Sequence, residues 1–127
     1  MIAPIFLAKE AVDAIHEDSL REFGGADGIR DENALESALA QPIHAFFYGR
    51  ADLFEIAATY AYHIAENQPY IDGNKRTGLL SALNFLTLNG VKATHASDEF
   101  YDVMIAIADK RLDKPGLAAA LRRRLSE

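Results

Sequence analysis

The segment from Asn74 to Leu88 predicts a helix that is apolar on most of its faces, and this feature constrains the fold most strongly. Such a helix is stable in water only when neighbouring elements cover it on several sides. Asn89 and Gly90 are residue types that end a helix with a left-handed cap. We therefore expect a buried central helix surrounded by other elements.

The rest of the chain also predicts helices, because its apolar residues recur at helical spacing between glycine and proline breaks. Pro42 is expected to end the second helix, and the short aromatic segment 42–50 is interpreted as a loop or small hairpin flap. The predicted helices comprise one that stops at Gly24–Gly25 and others over Asp31–Ala40, Asp52–Asn67, Asn74–Leu88, Ser97–Lys110 and Pro115–Leu125, with Ser97, Asp98 and Glu99 as the cap of the fifth.

These patterns predict a compact all-α domain of about six helices, with residues 1–127 forming a single domain. The net charge of −6 argues against direct nucleic-acid binding, and Arg122–Arg124 are interpreted as favourable charges at the end of a terminal helix. No apolar run is long enough for a membrane helix, no signal peptide is recognised, and there are no cysteines. We expect a cytoplasmic protein without membrane contact.

The polar cluster from Asp72 to Thr77 precedes the central helix and predicts an anion site. The first amide groups of a helix lack internal partners, and the helix dipole leaves that end partly positive. Gly73 permits close approach of a phosphate, while Lys75 and Arg76 supply positive charge. Asp72 is a plausible ligand for Mg²⁺ that bridges phosphates.

Each of these residues also has a simpler explanation, in which Asp72 caps the helix, Gly73 forms a turn, and the two cations are solvated. However, cations at the N-terminal end of a helix oppose its dipole. An anion that offsets this cost accounts for the whole constellation better than four separate explanations do.

The stretch "YIDGNKRTG", followed by "LNFLTLNG", resembles the motif of the Fic/Doc family, His-x-Phe-x-Asp/Glu-Gly-Asn-x-Arg. The resemblance is closest to the Doc (death-on-curing) branch, and it extends to the upstream stretches "IHEDSLREFGGADGIRDENALESALAQP" and "DLFEIAATYAYHIAEN". It implies a Fic/Doc-type helical fold. It also implies transfer of part of a nucleoside triphosphate to a protein hydroxyl, with ATP and Mg²⁺ as cofactors.

Carried over to this sequence, the motif makes Asp72 the metal ligand and Gly73, Asn74 and Arg76 the phosphate holders, beside the cation Lys75. Doc proteins phosphorylate a threonine of elongation factor Tu, and an antitoxin neutralises them through its C-terminal segment. The resemblance therefore implies a toxin of a toxin–antitoxin module that halts translation.

Three positions depart from the family pattern. Tyr70 replaces the usual phenylalanine and adds a hydroxyl to the aromatic anchor. AMP-transferring members have a second glycine at the position of Lys75 and a second arginine at the position of Leu79. The missing arginine favours phosphate transfer, and AMP transfer is kept as an alternative.

The family's catalytic histidine corresponds to Gln68, whose amide cannot take a proton from a hydroxyl near neutral pH. Three explanations for Gln68 are open: the histidine was removed by design, it was lost naturally, or it is dispensable because phosphoryl transfer depends mostly on positioning. The other histidines, His16, His44, His63 and His95, are interpreted as structural or exposed, with His44 the least improbable substitute.

Two further interpretations stay open at this point. The first is a non-catalytic module that uses the same fold to bind a nucleotide or a partner protein. The second concerns Phe46, Phe47 and Tyr48, which either dock the protein target as a flap or belong to the core.

Overall fold

The computed structural model describes residues 2–93 and 97–125, and in the second range it describes side chains from Phe100 onward. The described residues form an all-α domain with six helices, as the sequence predicts. The helices are α1 (Lys9–Phe23), α2 (Glu32–Gly49), α3 (Leu53–Asn67), α4 (Asn74–Leu88), α5 (Ser97–Ala108) and α6 (Lys114–Leu125).

Helix α4 is the central element of the domain, which confirms the prediction from its apolar faces. It packs most extensively against α3, and it also contacts α1 and α5. Its side chains Leu79, Phe85 and Leu86 are almost completely buried. The ring of Phe85 packs against that of Tyr60 on α3, with 5.3 Å between ring centroids. Burial of these side chains accounts for most of the helix's stability.

Acidic side chains fix the starts of three helices by accepting backbone hydrogen bonds. Asp31 accepts from the amide of Ala34 at the start of α2, and Asp113 accepts from the amide of Gly116 at the start of α6. At the start of α3, Asp52 and Glu55 form a reciprocal capping box.

Helix α2 does not end at Pro42, so the predicted end of this helix and the predicted loop or hairpin flap over 42–50 are wrong. The helix continues through the proline to Gly49. A proline inside a helix removes one hydrogen bond and costs about 3 kcal/mol. Here the buried face continues across it, because Leu35, Ala38 and Pro42 are buried and Phe46 packs partly against the core. Burial of this face outweighs the local cost.

The fifth helix ends at Ala108, two residues earlier than predicted, and Lys110 follows with a left-handed φ of 64°. The predicted cap side chains at 97–99 and the link through His95 lie outside the described residues. None of the helices in the described ranges has the length and apolar character needed to cross a bilayer.

Gly78 sets the distance between α3 and α4. A Cβ atom added there would lie 2.8 Å from the carbonyl oxygen of Ala61 and 3.4 Å from its Cα. Both of these atoms belong to the backbone of α3, which cannot rotate away. Close approach of the two helices therefore requires glycine at this position.

We predict that Gly78→Ala lowers the free energy of unfolding by about 2 kcal/mol, because overpacking of the helix contact outweighs the better helix propensity of alanine. Gly49→Ala is the matched control, since a Cβ at the end of α2 meets nothing within 4 Å. Urea unfolding measures both variants. Equal or greater stability of Gly78→Ala than of the unmodified chain would contradict the close contact.

Candidate functional site

The loop between α3 and α4 begins at Gln68, which ends α3 in a left-handed conformation with φ 49°. Arg30 holds this end: its Nε donates to the carbonyl of Gln68 at 2.6 Å, and its terminal nitrogen donates to the carbonyl of Asn67 at 2.7 Å. A cation at the C-terminal end of a helix also complements the dipole. The backbone of Gln68 is therefore fixed, and the residue lines a cavity.

Asn74 closes the loop on itself through its side chain. Its Oδ1 accepts from the amide of Tyr70, and its Nδ2 donates to the carbonyl of the same residue, each at 2.9 Å. The motif assigns Asn74 to phosphate binding. In this geometry both functional atoms of its side chain are already bonded to the loop, and its contribution to an anion is limited to the backbone amide.

The ring of Tyr70 anchors the loop in the core and is 1% exposed. It stacks on the imidazole of His16, with 3.8 Å between centroids and an angle of 9° between planes. Its hydroxyl donates to Asp13 at 2.7 Å. Burial, followed by the contact with Asp13, raises the pKa of the Tyr70 hydroxyl well above its usual range. The hydroxyl is thus a fixed donor.

His16 serves the same loop from α1. Its Nε2 lies 2.8 Å from the carbonyl oxygen of Asp72, which can only accept, so Nε2 carries the proton. The ring is 2% exposed. These contacts occupy His16 in holding the loop, and its side chain does not line the cavity.

The carboxylate of Asp72 is oriented by two backbone amides. Oδ1 accepts from Gly73 at 2.9 Å, and Oδ2 accepts from Ala26 at 3.2 Å. Gly25, with φ 124°, allows this approach, because a Cβ there would lie 3.0 Å from Oδ2 and 2.9 Å from Leu20. The carboxylate therefore points in a defined direction at the start of α4.

The first turn of α4 is open to a ligand. Gly73 begins the helix with φ 78° and provides no side-chain cap, and the turn contains no acidic residue. Among the described residues, no acceptor bonds to the amides of Asn74, Lys75 or Arg76. Three free amides at the positive end of a helix dipole form an anion site when a second source of positive charge is present.

The two cations of this turn have no acidic partner among the described ion pairs. Lys75 is exposed. The guanidinium carbon of Arg76 lies 3.7 Å from the ring centroid of Phe23 and 4.6 Å from that of Tyr101. Both positive charges are therefore available at the cavity.

The predicted motif residues all line one cavity of about 490 Å³. The residues predicted as a flap do not line it. Helices α1, α3 and α5 contribute the rest of its wall. Its lining includes Gln68, Asp72, Gly73, Asn74, Lys75 and Arg76 from the motif, together with Ser19, Phe23 and Tyr101 from elsewhere in the chain.

The contributions of α1 and α5 to the cavity wall do not follow from the motif. In the sequence, Phe23 is one apolar residue of the first predicted helix, and Tyr101 is one aromatic residue of the fifth. The pair Gly24–Gly25 directly after Phe23 was the one available signal, because it predicts a chain reversal next to an aromatic side chain. No sequence pattern indicated that Tyr101 would contact Arg76.

The residues predicted as a flap lie on the last turns of α2. The ring of Phe46 is 6.2 Å from that of Phe6, and the ring of Phe47 is 6.4 Å from it. Tyr48 is 85% exposed and packs edge-on against His44. None of these four side chains of α2 lines the cavity, so the structure separates them from the motif residues.

The described residues contain no group of three or more histidine, cysteine, aspartate or glutamate side chains that could hold a metal ion by themselves. Asp72 supplies one oriented carboxylate beside the open helix turn. Mg²⁺ commonly takes one or two protein carboxylates and completes its coordination with phosphate oxygens and water. The donor set therefore fits Mg²⁺ that arrives with a phosphate ligand.

His63 lies away from the cavity lining, on α3. Its Nε2 accepts from the ammonium of Lys114 at 3.0 Å, which requires a neutral ring. Burial, followed by the positive charge of Lys114, lowers the pKa of His63 to about 4, and Glu66 opposes this shift. This histidine is a hydrogen-bond acceptor between α3 and α6.

We predict that Asn74→Ala lowers the free energy of unfolding by about 1–2 kcal/mol, because the loop loses both bonds that close it. The Tyr70 amide, which donates to Asn74, should also exchange its hydrogen faster. Asn84→Ala is the matched control on the same helix, since Asn84 is exposed and bonds only within its own helix. Unchanged exchange at Tyr70 in Asn74→Ala would contradict the assigned closure.

We predict that His63 makes the fold less stable as pH falls from about 6.5 to about 4. The unfolded state binds the proton throughout this window, whereas the folded state does so only near its lowered pKa. His63→Gln should reduce the slope of unfolding free energy against pH there. His44→Gln controls for the loss of one exposed histidine, and an identical slope in His63→Gln and the unmodified chain would refute the prediction.

The comparisons with known proteins agree with this fold and motif. A family model described as the Fic/DOC family matches residues 6–86. "Protein kinase doc" of Escherichia phage P1 is 33% identical over 118 residues, which is 92% of this chain and 93% of that protein. "Toxin Doc" of Mycolicibacterium smegmatis is 36% identical over 104 residues, covering 78% of this chain and 79% of the relative. The chain belongs to the Fic/Doc family.

Proposed function

We propose that this chain is a Doc-like toxin of a toxin–antitoxin module, whose site is built to transfer phosphate from Mg²⁺-bound ATP to a protein hydroxyl. Two relatives that span most of the chain support this proposal, one named a protein kinase and the other a toxin. The proposed target is a translation factor of the elongation factor Tu class. The proposed partner is an antitoxin that binds through its C-terminal segment.

The observation that carries the proposal is the open first turn of α4. Three amides without acceptors and two cations without acidic partners converge on one cavity. A polyphosphate would satisfy the amides and offset both charges. Asp72 would hold Mg²⁺ at the edge of this site, and the ion would neutralise charge on the phosphate oxygens.

The environment of Leu79 favours transfer of the terminal phosphate over transfer of AMP. AMP-transferring members of the family carry an arginine at this position, where Leu79 is 1% exposed in the core of the domain. The described part of the cavity therefore receives its arginine only from Arg76.

Gln68 is proposed to impair this activity. Gln68 lines the cavity and occupies the position of the motif histidine, and its amide can orient a hydroxyl by hydrogen bonding but cannot take its proton. A positioned base contributes about 10²–10⁴-fold to such reactions. We therefore expect nucleotide binding to be retained and transfer to be slow.

The open anion site, taken together with the missing base at position 68, supports a second candidate function. An intact anion site without a base suits a protein that binds a nucleotide or a partner and performs no chemistry. Restoring the histidine distinguishes the two functions. Position 68 tolerates the change, because its φ of 49° lies in a region where histidine is enriched among non-glycine residues.

We predict that Gln68→His raises phosphate transfer to lysate proteins by about 10²–10⁴-fold over the unmodified chain. The measurement uses bacterial lysate, Mg²⁺ and ATP labelled on the γ-phosphate in one sample and on the α-phosphate in another. We expect transfer of the γ label only, together with growth arrest on expression.

Asp72→Ala and Arg76→Met, each combined with Gln68→His, are the matched controls and should abolish the gain. Transfer of the α label would replace phosphate transfer with AMP transfer. No label from any variant, with nucleotide binding retained, would favour the binding module.

A further inference from the structure

Arg76 differs from other arginines of this acidic chain in the groups that surround it. Arg21, Arg111 and Arg122 each form an ion pair with an aspartate. Arg76, in contrast, contacts the aromatic rings of Phe23 and Tyr101 and has no carboxylate partner among the described ion pairs. These rings come from the end of α1 and from α5, and both line the same cavity as Arg76.

The geometry of these contacts leaves the hydrogen-bond donors of Arg76 accessible. A guanidinium carbon 3.7 Å from the centroid of Phe23 lies over the face of that ring. The N–H groups of a guanidinium lie in its plane and point outward, so stacking on its face does not consume them. Phe23 ends α1 and Tyr101 lies on α5, so two separate helices each bring one ring to the guanidinium.

The exposure of Phe23 is consistent with a role at the cavity. Phe23 is 48% exposed at the last position of α1, so its ring is not part of the buried core. Gly24 then reverses the chain with φ 84°. The ring contacts the guanidinium of Arg76, whose carbon lies 3.7 Å from the ring centroid.

We propose that Phe23 and Tyr101 are positioning residues that form an aromatic clamp around Arg76, which keeps its charge fixed and unneutralised for a phosphate group. A carboxylate partner would also fix the arginine, but it would compete with the phosphate for the same N–H donors. The rings fix the guanidinium through its faces instead. This inference rests on the proposed function, because it specifies how the same site holds its phosphate ligand.

Substitutions that keep or remove each ring test the clamp. Phe23→Leu and Tyr101→Leu remove a ring while preserving apolar bulk, whereas Phe23→Tyr and Tyr101→Phe keep it. The probe is inorganic pyrophosphate, and its dissociation constant is measured by calorimetry on the full chain. Thermal melting verifies that each variant is folded.

We expect each leucine variant to bind pyrophosphate about 3–10-fold more weakly, because an Arg76 that is no longer held by the ring loses side-chain freedom when the anion binds. The aromatic variants should stay within about 2-fold of the unmodified chain. Equal binding by the leucine variants and the unmodified chain would overturn the proposal. Absence of pyrophosphate binding by the unmodified chain would overturn it as well.

A double-mutant cycle shows whether the rings act through Arg76. In an Arg76→Met background, Phe23→Leu should cause no further loss of pyrophosphate binding. A loss as large as in the unmodified background would mean that the ring contacts the ligand directly or shapes the cavity, and it would overturn the clamp.

Failure of the clamp and failure of the proposed function give different results. Pyrophosphate binding that depends on both rings, without γ-phosphate transfer by Gln68→His, would support the clamp and refute the phosphotransfer activity. Transfer of γ-phosphate by Gln68→His, with pyrophosphate binding that is insensitive to both rings, would support the phosphotransfer activity and refute the clamp.

Discussion

The close packing of α3 against α4 is the constraint on which the rest of the structure depends. Gly78 brings the two backbones together at Ala61, and the six residues from Gln68 to Gly73 must then connect the helices within a short distance. This arrangement places the end of one helix beside the start of the next. The unpaired amides of α4 consequently face a cavity, and the loop that precedes them is held by bonds from Arg30, His16 and Asn74.

The loops around the site are rich in glycine, and yet their geometry is fixed. Glycines at positions 24, 25, 28 and 73 all have positive φ, which provides chain reversals where backbone groups must approach one another. The amides of Arg30 and Asp31 both donate to the carbonyl of Pro69, and the amide of Ile71 donates to Gly28. The loop that follows α1 (residues 24–31) and the loop between α3 and α4 are therefore joined by backbone hydrogen bonds. These bonds fix the groups of the site before a ligand binds, which is the preorganisation that electrostatic binding requires.

The sequence predicts the features that are determined by neighbouring residues, but it does not predict contacts between residues that are distant along the chain. The six helices and the motif from Gln68 to Arg76 were accessible because each is a continuous stretch. The contribution of Tyr101 was not, since only the packing of α5 against α4 brings it to Arg76. The passage of α2 through Pro42 was missed for a related reason: local chemistry disfavours it, and burial of a long apolar face outweighs that cost. The two hydrogen bonds between the Asn74 side chain and the backbone of Tyr70 likewise depend on the loop geometry, which the spacing of residues in the sequence does not predict.

The aromatic contacts of Arg76 also have a consequence for the order in which the molecule is made. Phe23 lies near the beginning of the chain and Tyr101 lies in the fifth of six helices, so the wall of the cavity is complete only after α5 has emerged from the ribosome and docked. The contiguous motif exists earlier, but its arginine then lacks its contact with the ring of Tyr101. A nascent chain therefore carries an incomplete site until most of the domain has been synthesised.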